Sequence, residues 1–491
     1  WKSTVDLLQD GHSTYSFSIP AIFSFPHQRR PPSMSQPAHI LAVPYPAQGH
    51  ILPLLDFLHQ LLLRHAVTVT IVITPANLPI ISSLLSAHPA SIQTLTLPFP
   101  SHPLIPSGIE NVKDLGWIGN LAMINTLPQL ALPIAQWYHS HPNPPVAIFS
   151  DLFLGWTRTL AQELKIEHFV FSSSGVFLAS IFYYCWTHEE LREMELVEFS
   201  EIPGSPSFKK HELPSLFHRY DPTSPEWKGV RKVLRQSALP NNWVINSFYE
   251  MEDKFFDYLR REFSGYSVYA VGPVSIKGLN NRTAENSDFS PLFDWLDSSP
   301  AGSVLYVSFG SQKFLSEEQV EGLAMGLEKS SARFVWVAKF QSGGCNLPAG
   351  FEERVSGRGV LLKNWAPQVR ILRHPAVGGF LSHCGWNSIL EAMEAGVPLL
   401  AWPMEADQYL NAWLLETYLE VAIRACEGSH TVPQPEKLSA AIRQWCDEGE
   451  GTLRLKASEL KDMALAAVMP GGSSGDDLDS LCLRLSQLSG A

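Results

Sequence analysis

The sequence predicts an α/β protein of two domains, each a parallel sheet doubly wound by helices. Three observations carry this. From His39 onward, short β-branched runs alternate with helix-periodic stretches, the βαβ pattern of a parallel sheet. A polar, unpatterned segment, Lys277–Asp288, interrupts the alternation once, after which it resumes. The 491 residues exceed what one hydrophobic core organises and suit two. With 45% hydrophobic and 17% charged residues, the chain is globular rather than disordered.

Residues 1–33 are set aside as a leader, expected to be disordered or non-native, with Met34 opening the functional chain. Their apolar part, Phe17–Phe25, is broken by Pro20 and makes a poor signal peptide; Ser content and late Arg29-Arg30 leave a plastid transit peptide as the rival reading. His39–Val43 is the first strand, Ile51–Leu63 a helix with Leu54, Leu55, Leu58, Leu61 and Leu62 on one side, and Val67–Ile73 the second strand. Pro53 is tolerated in that helix's first turn. No G-x-G-x-x-G follows the first strand, so a dinucleotide is disfavoured there. Strands are also expected at Val146–Phe149, Phe169–Phe171, Trp243–Asn246 and Tyr269–Val271, with a helix from about Gly155 to Leu164. An aromatic helix carries Phe177, Phe182, Tyr183, Tyr184 and Trp186, as core or as pocket wall, and 187–240, polar and Pro-broken, reads as lid loops.

After the linker, Phe293–Asp297 leads to the strand Val304–Ser308, then to a helix Glu317–Lys329 capped by Ser316. Phe334–Val337 and Val360–Leu362 are further strands, and Asn411–Tyr418 and Glu436–Cys446 are helical. A break at Pro470–Ser474 precedes a last helix with Leu478, Leu481, Cys482, Leu485 and Leu488 on one face. The expected division is 34–276, a linker at 277–290, 291–472, and a terminal helix at 473–491.

Two constellations carry chemistry. The first runs from Trp365 to Gln408. An apolar strand, Val377–Leu381, meets the small-residue turn Ser382-His383-Cys384-Gly385; Asn387 and Ser388 then stand where a helix should start, and Gly396 and Pro398 where it should stop. A strand, a tight turn and a helix N-terminus form an anion site, because unpaired N–H groups and the positive dipole end face outward. Glu391, one turn on from Asn387, suits the vicinal hydroxyls of a ribose. Trp365 offers a flat face for a base. Glu405, Asp407 and Gln408 leave the next apolar run, Val397–Trp402, at the same sheet edge, with groups to bond several hydroxyls.

The second constellation is His50 with Asp151. His50 stands at the carboxyl end of the first strand and the start of the first helix, where ligands of such sheets bind. A helix N-terminus there disfavours a protonated imidazole and keeps a base neutral. Asp151 closes the strand Val146–Phe149 on the same edge, where it can fix the tautomer of that imidazole. His59, His65, His88, His102, His139, His141 and His374 read as surface or capping residues.

The stretch from Trp365 to Gln408 closely resembles the donor box of plant UDP-dependent glycosyltransferases, without a gap. The resemblance extends over essentially Met34 to the end and includes the Pro-x-x-Gly-His turn at His50. It implies the GT-B fold, two Rossmann-like domains facing across a cleft, the first binding acceptor and the second UDP-sugar. By it, Trp365, with Ala366 beside it, stacks on uracil; Gln368 and Glu391 hold the ribose; Ser311, His383, Gly385, Asn387 and Ser388 meet the diphosphate; and Trp386, Glu405, Asp407 and Gln408 border the sugar. His50 is the general base and Asp151 its partner, as in the family's matching "SD" strand end. Phe153, Phe177 and Met404 are placed at the acceptor wall. Gln408 and Trp386 are associated in the family with glucose. The N-terminal segments His39–Pro79 and Pro142–Trp156 resemble a branch acting on flavonoids and hydroxybenzoates, some members of which use rhamnose or xylose.

The implied function is an inverting, metal-independent transfer of glucose to a small phenol by a cytoplasmic monomer with no cofactor beyond the UDP-sugar. A UDP-sugar-binding protein that has lost catalysis is the reading from a different class, and a pyridine-nucleotide oxidoreductase a more distant one. A net charge of −12 argues against nucleic acid or an anionic membrane as partner. The six scattered cysteines form no C-x-x-C and read as reduced thiols, and no apolar run spans a membrane. Asp477-Leu478-Asp479 matches a metal-binding D-x-D but lies on the expected terminal helix; H-E-x-x-H, an EF-hand loop and H-x-x-x-D are absent.

Overall fold

Ala38–Val43 (β1) is buried at all six positions, as a central strand covered on both faces must be. A computed structural model describes residues 37–64, 67–116, 119–279, 288–310, 313–339, 347–447 and 451–490. Around β1 the first sheet adds Val67–Ile73 (β2), Ile92–Thr96 (β3), Ala147–Asp151 (β4), Glu167–Ser172 (β5), Asn242–Ile245 (β8) and Val268–Ala270 (β9); Leu196–Glu198 (β6) and Ser207–Lys209 (β7) form a separate antiparallel hairpin. The strand order is β3-β2-β1-β4-β5-β8-β9, all parallel. The second sheet comprises Val304–Ser308 (β10), Arg333–Ala338 (β11), Gly359–Lys363 (β12), Val377–Ser382 (β13), Leu399–Ala401 (β14) and Ala422–Arg424 (β15), in the parallel order β12-β11-β10-β13-β14-β15. Both are open doubly wound sheets whose crossover helices cover the two faces, the arrangement of two Rossmann-like domains. Among the described residues no helix is long and apolar enough to cross a membrane.

Two departures from the sequence reading have physical causes. Residues 187–240 are more ordered than lid loops: besides the hairpin they hold a helix, Pro225–Ala238, whose start Ser224 caps by accepting the N–H of Trp227. Its buried Trp227, Val230, Val233 and Leu234 recur at helical spacing beneath a prolyl first turn. β3, unanticipated, exposes three of its five residues, as an edge strand can, and so shows no apolar run. The linker expected at 277–290 has its centre, 280–287, outside the described residues.

The terminal helix, Ser473–Ser489, packs on the first sheet. Its buried Leu478, Leu481, Cys482 and Leu485 join one hydrophobic cluster with Ile40, Phe57, Phe149 and Phe171. Asp477 accepts the Ala270 N–H at 2.7 Å and the Arg260 guanidinium at 2.9 Å, and Asp479 pairs with Arg64 at 3.1 Å, so the D-x-D carboxylates dock this helix. Leu481→Ala is expected to cost about 2–5 kcal/mol through lost burial and a cavity, against under about 0.5 kcal/mol for the exposed Leu483→Ala. Urea unfolding of both variants checks the contrast, and equal midpoints would remove the docking.

Candidate active site

The carboxyl edge of the first sheet places His50 and Asp151 together. The first helix, Gln48–Arg64, begins three residues earlier than its apolar period suggests, so His50 lies in its first turn. Asp151, ending β4, is 1% exposed; its Oδ1 accepts the Phe153 N–H and its Oδ2 lies 2.8 Å from His50 Nδ1. That contact makes Nδ1 the protonated nitrogen and leaves Nε2 with its lone pair. Rings hold the imidazole from two sides, Tyr45 at 5.2 Å and Phe153 at 4.9 Å between centroids, while the Tyr45 hydroxyl donates to Asn120. Burial pushes the His50 pKa down, but the charge and hydrogen bond of Asp151 and the charge of Asp407 outweigh it, and the net shift is upward. The helix start therefore does not keep this imidazole below its ordinary pKa, contrary to the sequence expectation.

On the facing edge, β13 ends in the turn 383–385 and the helix Trp386–Ala395 begins. Its N-cap is Gly385 and no side chain caps it, which leaves its first-turn N–H groups for a guest. Gly396 closes it with a left-handed φ of 73°. His383 is wedged between two glycines: a Cβ at Gly310 or Gly385 would fall 2.6 or 2.5 Å from its Nε2. Burial and then the charge of Lys339 push its pKa down to about 4, so this imidazole is neutral near pH 7, and its Nδ1 is buried without a hydrogen-bond partner among the described residues. Gln368 donates through Nε2 to Ser388 Oγ (3.1 Å) and Glu391 Oε2 (2.7 Å), joining the ribose candidates to the helix. Ala366 is buried, whereas Trp365 is 39% exposed beside Phe289, at 5.7 Å between ring centroids, with a face free to stack. Ser311 lies outside the described residues.

The two edges face one cleft of about 330 Å3, lined by His50 and Phe153 on one side and by His383, Gly385, Asn387, Ser388, Glu405, Asp407 and Gln408 on the other. Hydrogen bonds cross it. Asn387 Nδ2 donates to the Gly49 carbonyl at 3.1 Å, an oxygen that has no helical donor because the residue four further on is Pro53. The Ala406 N–H donates to Ser215 Oγ at 2.9 Å, and Ser174 Oγ to Asp407 Oδ2 at 3.2 Å. Gln408 Oε1 accepts the N–H groups of Met404 and Glu405, which leaves its NH2 for a ligand.

Three placements correct the sequence reading. Phe177 is 1% exposed in the core, stacked on Trp413 of the second domain and packed on Phe255 of the first, because the N-terminal end of its helix, Val176–Thr187, is enclosed between the two domains. Met404, 3% exposed, belongs to the core of the second sheet. The indole of Trp386 borders the cleft but is buried, and its Nε1 donates to the Asn246 carbonyl of the first domain at 2.8 Å, so this ring joins domains instead of presenting itself to a sugar. Sequence reasoning missed Lys313, whose Nζ donates to the Ser429 carbonyl, and Leu178 and Phe217 of the apolar wall; Phe182 and Trp186, which it left open as core or pocket wall, line the cleft. Lys313 follows the exit of β10, where a search of strand ends would have found it; Phe217 lies in the stretch read as loops.

The family described as "UDP-glucoronosyl and UDP-glucosyl transferase" matches residues 271–427. UDP-glycosyltransferase 89A2 of Arabidopsis thaliana is 45% identical over 91% of this chain and 96% of its own length. Flavonol 3-O-glucosyltransferase UGT89B1 of the same plant is 45% identical over 90% and 94%. Arabidopsis thaliana UGT89C1, solved with UDP-L-rhamnose and again with quercetin, aligns with a TM-score of 0.74 at 34% identity, over 91% of this chain and 99% of that one.

With the carboxylate of Asp151 removed, burial is left as the larger influence on His50. Asp151→Asn should therefore move the imidazole pKa from above its ordinary 6.5 to a lower value than in the unmodified protein. An NMR titration of the His50 ring measures this, and an unchanged midpoint would show that Asp151 does not set it.

Proposed function

The chain belongs to the plant UDP-dependent glycosyltransferases, of GT-B fold, and we propose that it is an inverting hexosyltransferase that moves glucose from UDP-glucose to a hydroxyl of a small phenol such as a flavonoid or hydroxybenzoate. One observation carries the reading: His50, paired with Asp151, faces the same cleft as an uncapped helix start, and Asn387 of that helix bonds the residue next to His50.

The chemistry is a single in-line displacement. His50 Nε2 takes the proton of the acceptor hydroxyl while that oxygen attacks the anomeric carbon from the face opposite the diphosphate. The bond from the anomeric carbon to the β-phosphate oxygen breaks with its electron pair, and an α-linked donor yields a β-glucoside. Asp151 steadies the imidazolium that forms. The leaving UDP is met by the N–H groups at the start of Trp386–Ala395, by Asn387 and Ser388, and by His383 as a neutral donor. Ser311, by its resemblance to the family, joins them. Gln368 and Glu391 hold the ribose and Trp365 stacks on uracil. Asp407 and the NH2 of Gln408 read sugar hydroxyls, with Glu405 beside them. The wall of Phe153, Leu178, Phe182 and Phe217 suits a flat aromatic acceptor. Because the base must be neutral, the rate climbs as pH rises through the raised pKa of His50.

Glucose follows from Gln408 by family resemblance; the relative bound to UDP-L-rhamnose supports that sugar as the second reading, with xylose a third. The reading needs no metal and places a monomer in the cytoplasm, in keeping with the free thiols of Cys185, Cys384, Cys426, Cys446 and Cys482.

Purified protein given UDP-glucose, UDP-rhamnose and UDP-xylose in competition, with a panel of phenols, should form glucosides by mass spectrometry. Preference for another sugar overturns the donor assignment, and UDP binding without turnover of any of them leaves a silent binding protein. His50→Ala should lower kcat by roughly 10²–10⁴-fold while UDP affinity, measured by calorimetry, barely moves. Near-normal turnover in that variant would remove His50 as the base.

A further inference from the structure

The turn Ser172–Gly175, at the exit of β5, belongs to the acceptor half, yet it is built against the donor half. Glu252, wholly buried, holds it from behind: its carboxylate accepts the N–H groups of Val176 (3.1 Å) and Phe177 (2.7 Å) and the hydroxyl of Ser247. A carboxylate on the first N–H groups of a helix is a strong anchor, favoured by charge-assisted bonds and the helix dipole together. Burial raises the pKa of Glu252 to about 7, against the pull of Ser247 and the two N–H groups. From the front, the Trp386 indole closes on the same turn. A Cβ at Gly175 would fall 2.4 Å from Trp386 Cη2 and 2.6 Å from Glu252 Oε2, so only glycine lets the indole and the carboxylate approach this closely. The turn is thus clamped between a carboxylate of its own half and an indole of the other.

Ser174 is the residue this clamp presents. Its Oγ donates to Asp407 Oδ2, which also takes Asn411 Nδ2 at 3.0 Å. Both of these side-chain bonds fall on one oxygen of the carboxylate, Oδ2. Ser174 and Asp407 line the cleft together. We propose that Ser174 is a positioning residue for donor recognition, supplied by the acceptor half, that sets the rotamer of Asp407 and with it the fit of the sugar. The inference rests on the reading of this cleft as a UDP-sugar site.

UDP lacks the sugar, and that separates a sugar-reading role from a general loosening of the cleft. In Ser174→Ala the KM for UDP-glucose should rise about fivefold to tenfold, the loss expected for one hydrogen bond to a carboxylate. Inhibition by UDP and the KM for the phenol should stay within about twofold, and Ser174→Thr, which keeps a hydroxyl, should recover most of the donor affinity. Glu252→Gln, which keeps the shape but weakens the anchor, should raise the UDP-glucose KM in the same direction by less. The proposal is overturned by an unchanged UDP-glucose KM in Ser174→Ala, by UDP inhibition weakening in parallel with it, or by Ser174→Thr being as impaired as the alanine variant. Should the unmodified protein turn over no UDP-sugar, calorimetry of UDP-glucose against UDP in the same variants reads the same contrast. The proposed activity and the role of Ser174 therefore fail separately.

Discussion

The amide of Asn387 on the carbonyl of Gly49 sets the distance on which the rest of the site depends. It joins the first turn of one helix to the first turn of another, across the cleft between two sheets. The imidazole proposed as the base is the next residue along the chain, and the N–H groups proposed to meet the diphosphate belong to the same turn as Asn387. Base and anion site are therefore one hydrogen bond apart. The bond exists because Pro53 brings no N–H to the helix that starts at Gln48, and an oxygen four residues earlier is left to an outside donor. A helix interior usually excludes proline; here the missing donor does structural work between domains. The Trp386 indole on Asn246 and the Ala406 N–H on Ser215 hold the same closure at other points along the cleft.

Backbone strain collects on the binding edge of the second sheet. The chain leaves β10, β12, β13 and β14 through Gly310, Asn364, Cys384 and Ala406, with φ of 75°, 68°, 63° and 59°. Three of these are not glycine, and a left-handed conformation costs such residues about 1–2 kcal/mol each. Hydrogen bonds hold them there: Asn364 donates to the Ala338 carbonyl, the Cys384 N–H to Ser382 Oγ, Asn411 to the Cys384 carbonyl, and the Ala406 N–H across the cleft to Ser215. A sharp reversal after a strand lifts the following residue off the sheet edge. That is how Trp365, Gly385 and Asp407 come to border the site.

The two imidazoles of the cleft are tuned in opposite senses by the same physical effect. Burial depresses both. At His50 two carboxylates, Asp151 and Asp407, reverse the effect and raise the affinity for a proton, as a base requires. At His383 a lysine adds to the depression and the ring stays neutral, a donor of one hydrogen bond with no charge of its own. The sign of the neighbouring charge separates the roles, since both rings stand at strand exits.

The sequence by itself determined the two doubly wound sheets, the pairing of His50 with Asp151 on one edge and the donor box on the facing edge. Period and length mark a strand and a small-residue turn marks its exit, so His50 and Asp151, 101 positions apart, could both be placed on one sheet edge, and the groups proposed to hold a nucleotide lie in one unbroken stretch. Tertiary structure alone decided which way Trp386 and Phe177 point, that the stretch 187–240 carries a hairpin and a helix against the cleft, and that Ser174 meets Asp407. An aromatic side chain satisfies the same hydrophobic pattern whether it faces a core, a neighbouring domain or a ligand. Contacts between the two halves leave no periodicity for a linear reading to find, because they are chosen by how the halves close on each other.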